Sequence, residues 1–272
     1  KHGSLDILKG KVVGLFFDEP STRTYGSFSV AIQKLGGSVL SLNCNNSSTK
    51  KGESLYDTLK CFETYCDLLV IRTSLKDSLG KLQNKIKIPI INAGDGDGEH
   101  PTQALLDVFT IREERGTVNN LVVSIVGDLK YGRTVHSLVK LLSNYDITFN
   151  FVSIDELSLD EGTIEFLGTR GIKYNQYKSI NDVIGNTDVL YMTRIQKERL
   201  NDESIDNKFL ENNLYLTQEM LTNAKNNIVI MHPLPRNEEI GVNIDNDPRA
   251  AYFRQMENGL YIRMALLQSF LG

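Results

Sequence analysis

Cysteine is scarce in this chain: Cys44, Cys61 and Cys66 are the only three among 272 residues. An odd number without metal-ligand spacing speaks against a disulfide framework and a thiolate metal centre, and reads as reduced thiols in a cytoplasmic protein. Long apolar runs are missing too. None approaches the roughly 20 residues of a membrane-spanning helix, and the residues after Lys1 do not resemble a signal peptide. There is no cationic excess: the net charge of −4 argues against a nucleic-acid surface, so an anionic ligand would have to be drawn by a local cluster of cations. No Cys/His set has zinc spacing, no carboxylate pair suits glycoside chemistry, and no Ser-His-Asp order stands out. No internal repeat or coiled-coil pattern is present. The chain opens on Lys1 rather than Met, which reads as a piece cut from something longer.

What is present is an alternation of strand-like and helix-like segments, run through twice. Val12–Phe17 is an apolar run of the kind that forms a buried parallel strand, and Phe28, Ala31, Ile32 and Leu35 behind it keep helical spacing. Between them lies Glu19-Pro20-Ser21-Thr22-Arg23-Thr24. A turn that carries hydroxyls and an arginine into a helix start suits an anion, because orphan N–H groups and the helix dipole point there. For Ser21 taken alone, ordinary N-capping is the better account. It does not account for Arg23 at a positive helix end, so a bound anion is the better reading of the turn.

The polar loop 43–52, with Lys50 and Lys51, fits a solvated surface or a functional loop. Leu68–Ile71 reads as a buried strand ending on Arg72, either a ligand residue or half of a salt bridge at the sheet's rim. Pro89–Asn92 reads as a strand, followed by a flexible loop through Glu99. His100-Pro101-Thr102-Gln103 then opens a helix ending before Gly116, with Leu105, Val108, Phe109 and Arg112 on its buried face. His100 is a structural hydrogen-bonder or a functional group.

The pattern restarts after Gly116. Leu121–Val126 leads through Gly127–Thr134 into a helix, but G-x-G-x-x-G is absent, which weakens a dinucleotide reading. Arg133 repeats the logic of Arg23. A strand over 147–153, a helix over 155–170, and short elements over 173–177 and 180–184 follow. Asp188–Met192 runs into Arg194, Gln196, Lys197 and Arg199, a solvated face or a strand-end cluster. A short helix is expected over 218–224 and a strand over 227–231. In His232-Pro233-Leu234-Pro235-Arg236 the two prolines predict an extended backbone whose carbonyls are open to a ligand. An amphipathic helix, 250–271, closes the chain. These alternations predict two doubly wound α/β domains with parallel sheets, 1–115 and 116–272, their carboxyl-end rims facing across a cleft.

Taken together, Ser21–Thr24, His100–Gln103, Gly127–His136, Tyr191–Leu200 and His232–Arg236 resemble the aspartate carbamoyltransferase family, in order and over nearly the whole length. Asp247–Phe253 resembles the version found inside eukaryotic multienzyme pyrimidine proteins. The resemblance implies transfer of a carbamoyl group from carbamoyl phosphate to L-aspartate in pyrimidine synthesis, without metal or organic cofactor. It makes 1–115 the carbamoyl-phosphate-binding domain and 116–272 the aspartate-binding domain, with the terminal helix, 257–272, packed back on the first.

By the same resemblance, Ser21, Thr22, Arg23 and Thr24 hold phosphate, and Thr24, Arg72 and His100 donate to the carbamoyl oxygen. Gln103 and the carbonyls of Leu234 and Pro235 accept from its amino group. Arg133, Thr134, Arg194 and Gln196 bind the aspartate carboxylates. Ser47 and Lys51 come from a neighbouring subunit of a homotrimer, Lys51 reaching the aspartate, and Glu19 pairs with Arg133 and Arg199 on domain closure. Two rivals are ornithine carbamoyltransferase, whose branch has cysteine where Pro233 stands, and a catalytically silent assembly domain. Arg194, Lys197 and Arg199 suit a second carboxylate better than an ammonium, and the intact ligand set speaks against silence.

Overall fold

The computed structural model describes residues 5–43, 53–75, 78–82, 84–96, 98–194 and 205–272. They divide into two compact units, Lys1–Thr102 with Glu257–Gly272, and Gln103–Met256. In the first unit, β1 (Val12–Phe17), α1 (Thr22–Lys34), β2 (Ser38–Asn43), α2 (Leu55–Phe62), β3 (Leu68–Thr73), α3 (Ser78–Leu82) and β4 (Ile90–Asp95) follow one another. The strands are parallel, in the order β2-β1-β3-β4. Helix α4 (Pro101–Arg115) starts in this unit and continues into the second.

Both faces of the sheet are covered, which explains why β1 and the Leu68–Ile71 stretch of β3 read as unbroken apolar runs. Successive side chains alternate between faces. Val13, Leu15, Leu68 and Val70 pack with Phe28 and Ile32 of α1, whereas Phe16, Leu69 and Ile71 pack with Leu59 of α2 and Leu82 of α3. Leu267, near the end of α8 (Tyr252–Leu271), is fully buried in the first of these cores.

The second unit holds β5 (Leu121–Val126), α5 (Arg133–Leu142), β6 (Ile147–Val152), α6 (Glu161–Thr169), β7 (Lys173–Tyr177), β8 (Val189–Met192), α7 (Ile205–Glu211) and β9 (Val229–Met231). Its parallel order is β7-β6-β5-β8-β9. Val123, Ile125, Phe149 and Tyr191 face one core, and Val126, Val152, Leu190 and Met192 the other. In each sheet the chain moves outward from a founding strand and then returns to that strand's other side. The switch points therefore lie between β1 and β3, and between β5 and β8, where open α/β sheets bind ligands.

Several elements depart from the pattern-based reading. Strand β4 runs on through Asp95, because Gly94 at φ 128° continues the chain where a side chain would be strained. Helix α4 is buried nearly all round, with Gln103, Leu106, Asp107, Thr110 and Ile111 inside, while Arg112 is exposed. Val108 and Ile111 pack in the second unit's core, and all of α4 but Pro101 and Thr102 counts with that unit. The expected helix over 155–170 is a 3₁₀ turn, Asp155–Leu157, followed by α6. Ser158 between them is extended, and the Asp160 carboxylate accepts the Thr163 N–H at 2.9 Å to start a new helix. The helical segments expected over 180–184 and 218–224 are single 3₁₀ turns, Ile180–Asp182 and Met220–Thr222.

Candidate active site

In the first unit the switch point joins two carboxyl strand ends. Phe17 pairs with Arg72 in register, and the Asp18 N–H donates to the Arg72 carbonyl at 2.9 Å. Ser21 takes the N-cap position of α1 in extended backbone, but its hydroxyl makes no capping bond, and the first turn carries no acid. Capping therefore does not explain Ser21. Thr22 and Arg23 are exposed and Thr24 is buried. Arg72 is buried, and its Nη2 meets Glu19 Oε2 at 3.0 Å, so the rim salt bridge exists. The Arg72 Nε is also buried, outside any hydrogen bond of the described residues. The Glu19 contact lies within its own unit; the expected pairing with Arg133 and Arg199 involves Arg199, which is outside the described residues. Asp95 accepts the Glu99 N–H at 2.8 Å, folding the β4–α4 turn back on itself just before the buried His100.

In the second unit the turns after β5 and β8 are clamped together. Thr193 Oγ1 accepts the Asp128 N–H at 2.9 Å and donates to the Val126 carbonyl at 3.0 Å. Gly127, at φ 117°, allows this approach, since a Cβ there would lie 2.5 Å from Thr193 Oγ1. Arg194, half-buried, follows this clamp directly. Helix α5 starts at Arg133 and Thr134, both half-buried, behind Gly132, with no side-chain cap and no acid in its first turn.

The His232–Arg236 segment is not extended throughout. Leu234 has φ 55° and the Leu234–Pro235 bond is cis. His232 is the reason: its Nδ1 accepts the Leu234 N–H at 2.8 Å, drawing the chain into a tight turn. The ring proton is thereby left on Nε2, which donates to Glu239 Oε1 at 2.9 Å. Burial pushes the Glu239 carboxyl up, but the His232 contact outweighs it and holds the group below the usual range. Arg236 is committed to Asp245 and to the Tyr252 hydroxyl.

Ser47, Lys51 and Gln196 fall outside the described residues. Asp107 was not singled out by its pattern, yet it is fully buried and accepts from Gln103, Gln255 and Tyr191. Its signal was an acid one turn beyond Gln103 among apolar neighbours, which alone does not separate a buried carboxylate from an exposed one. Burial and the charge of Asp107 hold the Tyr191 phenol well above its ordinary pKa.

Two family models meet the chain end to end. Residues 1–113 match the aspartate/ornithine carbamoyltransferase carbamoyl-P binding domain, and residues 119–270 the Asp/Orn binding domain of the same family. An aspartate carbamoyltransferase catalytic subunit of Picrophilus torridus is 46% identical over all of this chain and 89% of its own length. The chain belongs to the aspartate carbamoyltransferase family. Within it, the multifunctional protein pyr1-3 of Dictyostelium discoideum is 52% identical over the whole of this chain, which spans 12% of that protein. The aspartate transcarbamoylase of Trypanosoma cruzi, solved with carbamoyl phosphate and aspartate, superposes with a TM-score of 0.93. It is 40% identical, over 99% of this chain and 87% of that one. Among the described residues no helix is long and apolar enough to cross a membrane.

Proposed function

We propose that this chain transfers the carbamoyl group of carbamoyl phosphate to the amino group of L-aspartate, giving N-carbamoyl-L-aspartate and phosphate. The observation that carries it is the full-length kinship with an aspartate carbamoyltransferase catalytic subunit. The uncapped, acid-free starts of α1 and α5 at the two switch points add support, since each suits a negatively charged substrate group.

Roles divide by segment. Ser21, Thr22, Arg23 and Thr24 bind the phosphate. Thr24, Arg72 and His100 donate to the carbamoyl oxygen, while Gln103 and the carbonyls of Leu234 and Pro235 accept from the carbamoyl amino group. Arg133, Thr134, Arg194 and Gln196 bind aspartate. The aspartate nitrogen forms its bond to the carbamoyl carbon as negative charge gathers on the oxygen. The bond to the phosphate oxygen then breaks, that oxygen keeps the electron pair, and the proton shed by the aspartate amine ends on the departing phosphate. Donors aimed at the developing charge lower the barrier because they are in place beforehand.

The working unit is proposed to be a cytoplasmic homotrimer in which Ser47 and Lys51 serve a neighbouring site, carried within a larger multienzyme polypeptide. A colorimetric carbamoyl-aspartate assay, run beside the same assay with ornithine, tests the activity. Carbamoyl-aspartate is expected with aspartate. Turnover with ornithine alone, or with neither amine, overturns the reading. A solution mass of three chains is expected; a monomer that turns over would remove the trimer.

A further inference from the structure

We propose that Asp107 sets the hydrogen-bond polarity of the second unit's substrate-binding residues, and so acts as a positioning residue for the reaction. This rests on the carbamoyl transfer proposed above. Asp107 has no solvent exposure. Its Oδ1 accepts Gln103 Nε2 at 2.8 Å and Gln255 Nε2 at 2.6 Å, and its Oδ2 accepts the Tyr191 hydroxyl at 2.8 Å. Gln103, Gln255 and Tyr191 are themselves buried.

A carboxylate has only lone pairs to offer. Each partner must therefore turn its proton-bearing end to Asp107, and its other end is determined by elimination. Gln103 gives its NH2 group, which leaves its Oε1 turned away from Asp107 as an acceptor. An acceptor is what the carbamoyl amino group requires; an amide flipped the other way would set donor against donor. Gln255 likewise gives its NH2 group, and its Oε1 accepts the His232 N–H at 3.0 Å. That bond anchors the start of the turn bearing the Leu234 and Pro235 carbonyls.

Tyr191 has one proton and gives it to Asp107. Thr134, hydrogen-bonded to the same phenol, must then be the donor to the phenolic oxygen. Its hydroxyl keeps lone pairs and has no proton left for a substrate. Thr134 is thus an acceptor for the amino group of aspartate, and the carboxylates fall to Arg133 and Arg194. A single buried acid in this way dictates an acceptor face toward both the carbamoyl amino group and the attacking aspartate amine.

The test uses the intact chain, first shown to make carbamoyl-aspartate. Failure at that step sinks the proposed activity and says nothing of Asp107. Asp107→Asn keeps the shape but supplies one acceptor and one donor. Keeping both glutamines satisfied places its NH2 group against Tyr191, whose phenol then accepts and passes its own proton to Thr134. The Thr134 hydroxyl turns over and presents a proton to the amine. The aspartate KM is expected to rise about 10-fold, for one hydrogen bond reversed, with the carbamoyl phosphate KM within about twofold. Tyr191→Phe removes the relay alone and should raise the aspartate KM in the same selective way. Asp107→Leu frees the Gln103 amide as well and should raise both KM values. A purely structural Asp107 predicts losses that follow the melting temperature and fall equally on both substrates, in either Asp107 variant. If neither variant folds, Tyr191→Phe decides: an unchanged aspartate KM overturns the proposal.

Discussion

Helices α1 and α2 cover opposite faces of one sheet, yet they begin in opposite ways. At α2, Ser54 accepts the Asp57 N–H at 3.1 Å, and Asp57 stands in the first turn to meet the dipole. At α1, Ser21 holds the same position and caps nothing, no acid is present, and Arg23 follows. The second unit repeats the contrast. Asp160 caps α6, with Glu161 in its first turn, whereas α5 begins at Gly132 with neither device and with Arg133 at its start. The closed helices are complete by themselves. The open ones follow β1 and β5, the founding strands at the switch points, and leave their N-terminal charge for something outside the chain. On the function proposed above, a substrate anion would complete these two helix starts.

The most severe way to break this contrast is at Arg72, on the strand beside the open α1. Arg72→Ala should lower kcat by about 100- to 1000-fold, as for loss of one oxyanion donor. Steady-state assays alongside circular dichroism check this; near-normal turnover in a folded variant removes Arg72 from the chemistry.

Matched serine substitutions sharpen it directly. Ser21→Ala should raise the carbamoyl phosphate KM about 10- to 100-fold, the loss of one hydrogen bond to a charged group, with little change in melting temperature. Ser54→Ala should do the reverse, costing about 1 kcal/mol of stability with both KM values unchanged. A stability loss at Ser21 comparable to that at Ser54 would mean that the two helix starts are alike after all.

The smallest effect at neutral pH is expected far from the open helices. Hydrogen bonds from the Arg249 guanidinium hold the Asp247 carboxyl down at about 2, from its ordinary 3.8. A depressed folded-state pKa gives stability that is fully present above 3.8 and is lost as pH falls from there through about 2. Arg249→Gln should therefore melt lower than the parent at pH 5 to 7, converge with it near pH 2, and leave kinetics at neutral pH unchanged. Parallel melting curves that never converge would mean that the pair contributes through packing alone.

Much of the architecture was legible in the residues. Val12–Phe17 and Leu121–Val126 are strands with the bounds their apolar runs imply, because a strand covered on both faces is apolar along nearly its whole length, buried Ser124 being the exception. Phe28, Ala31, Ile32 and Leu35 keep their helical spacing and are all buried. The candidate site residues were legible as arginines and hydroxyls set at strand ends, the place where open α/β sheets bind ligands.

Other features depended on partners distant in sequence. Ser21 and Ser54 are alike as cap residues, and although Arg23 follows one and Asp57 the other, only the observed bonds show that Ser21 leaves its helix uncapped while Ser54 closes one. Nothing around Leu234 foretells its left-handed turn, which His232 imposes from two residues away while Gln255 and Glu239 hold that ring's segment in place. Asp107 reads as one acid among several on α4 until Tyr191 and Gln255, 84 and 148 residues further along, turn their donors toward it. Periodicity reports which face of an element is buried, and so the sequence by itself determined the strands, most helices and the two-domain α/β class. The order of the strands, and with it the switch points and the polarity of the buried network, is a matter of non-local pairing that only the tertiary structure decided.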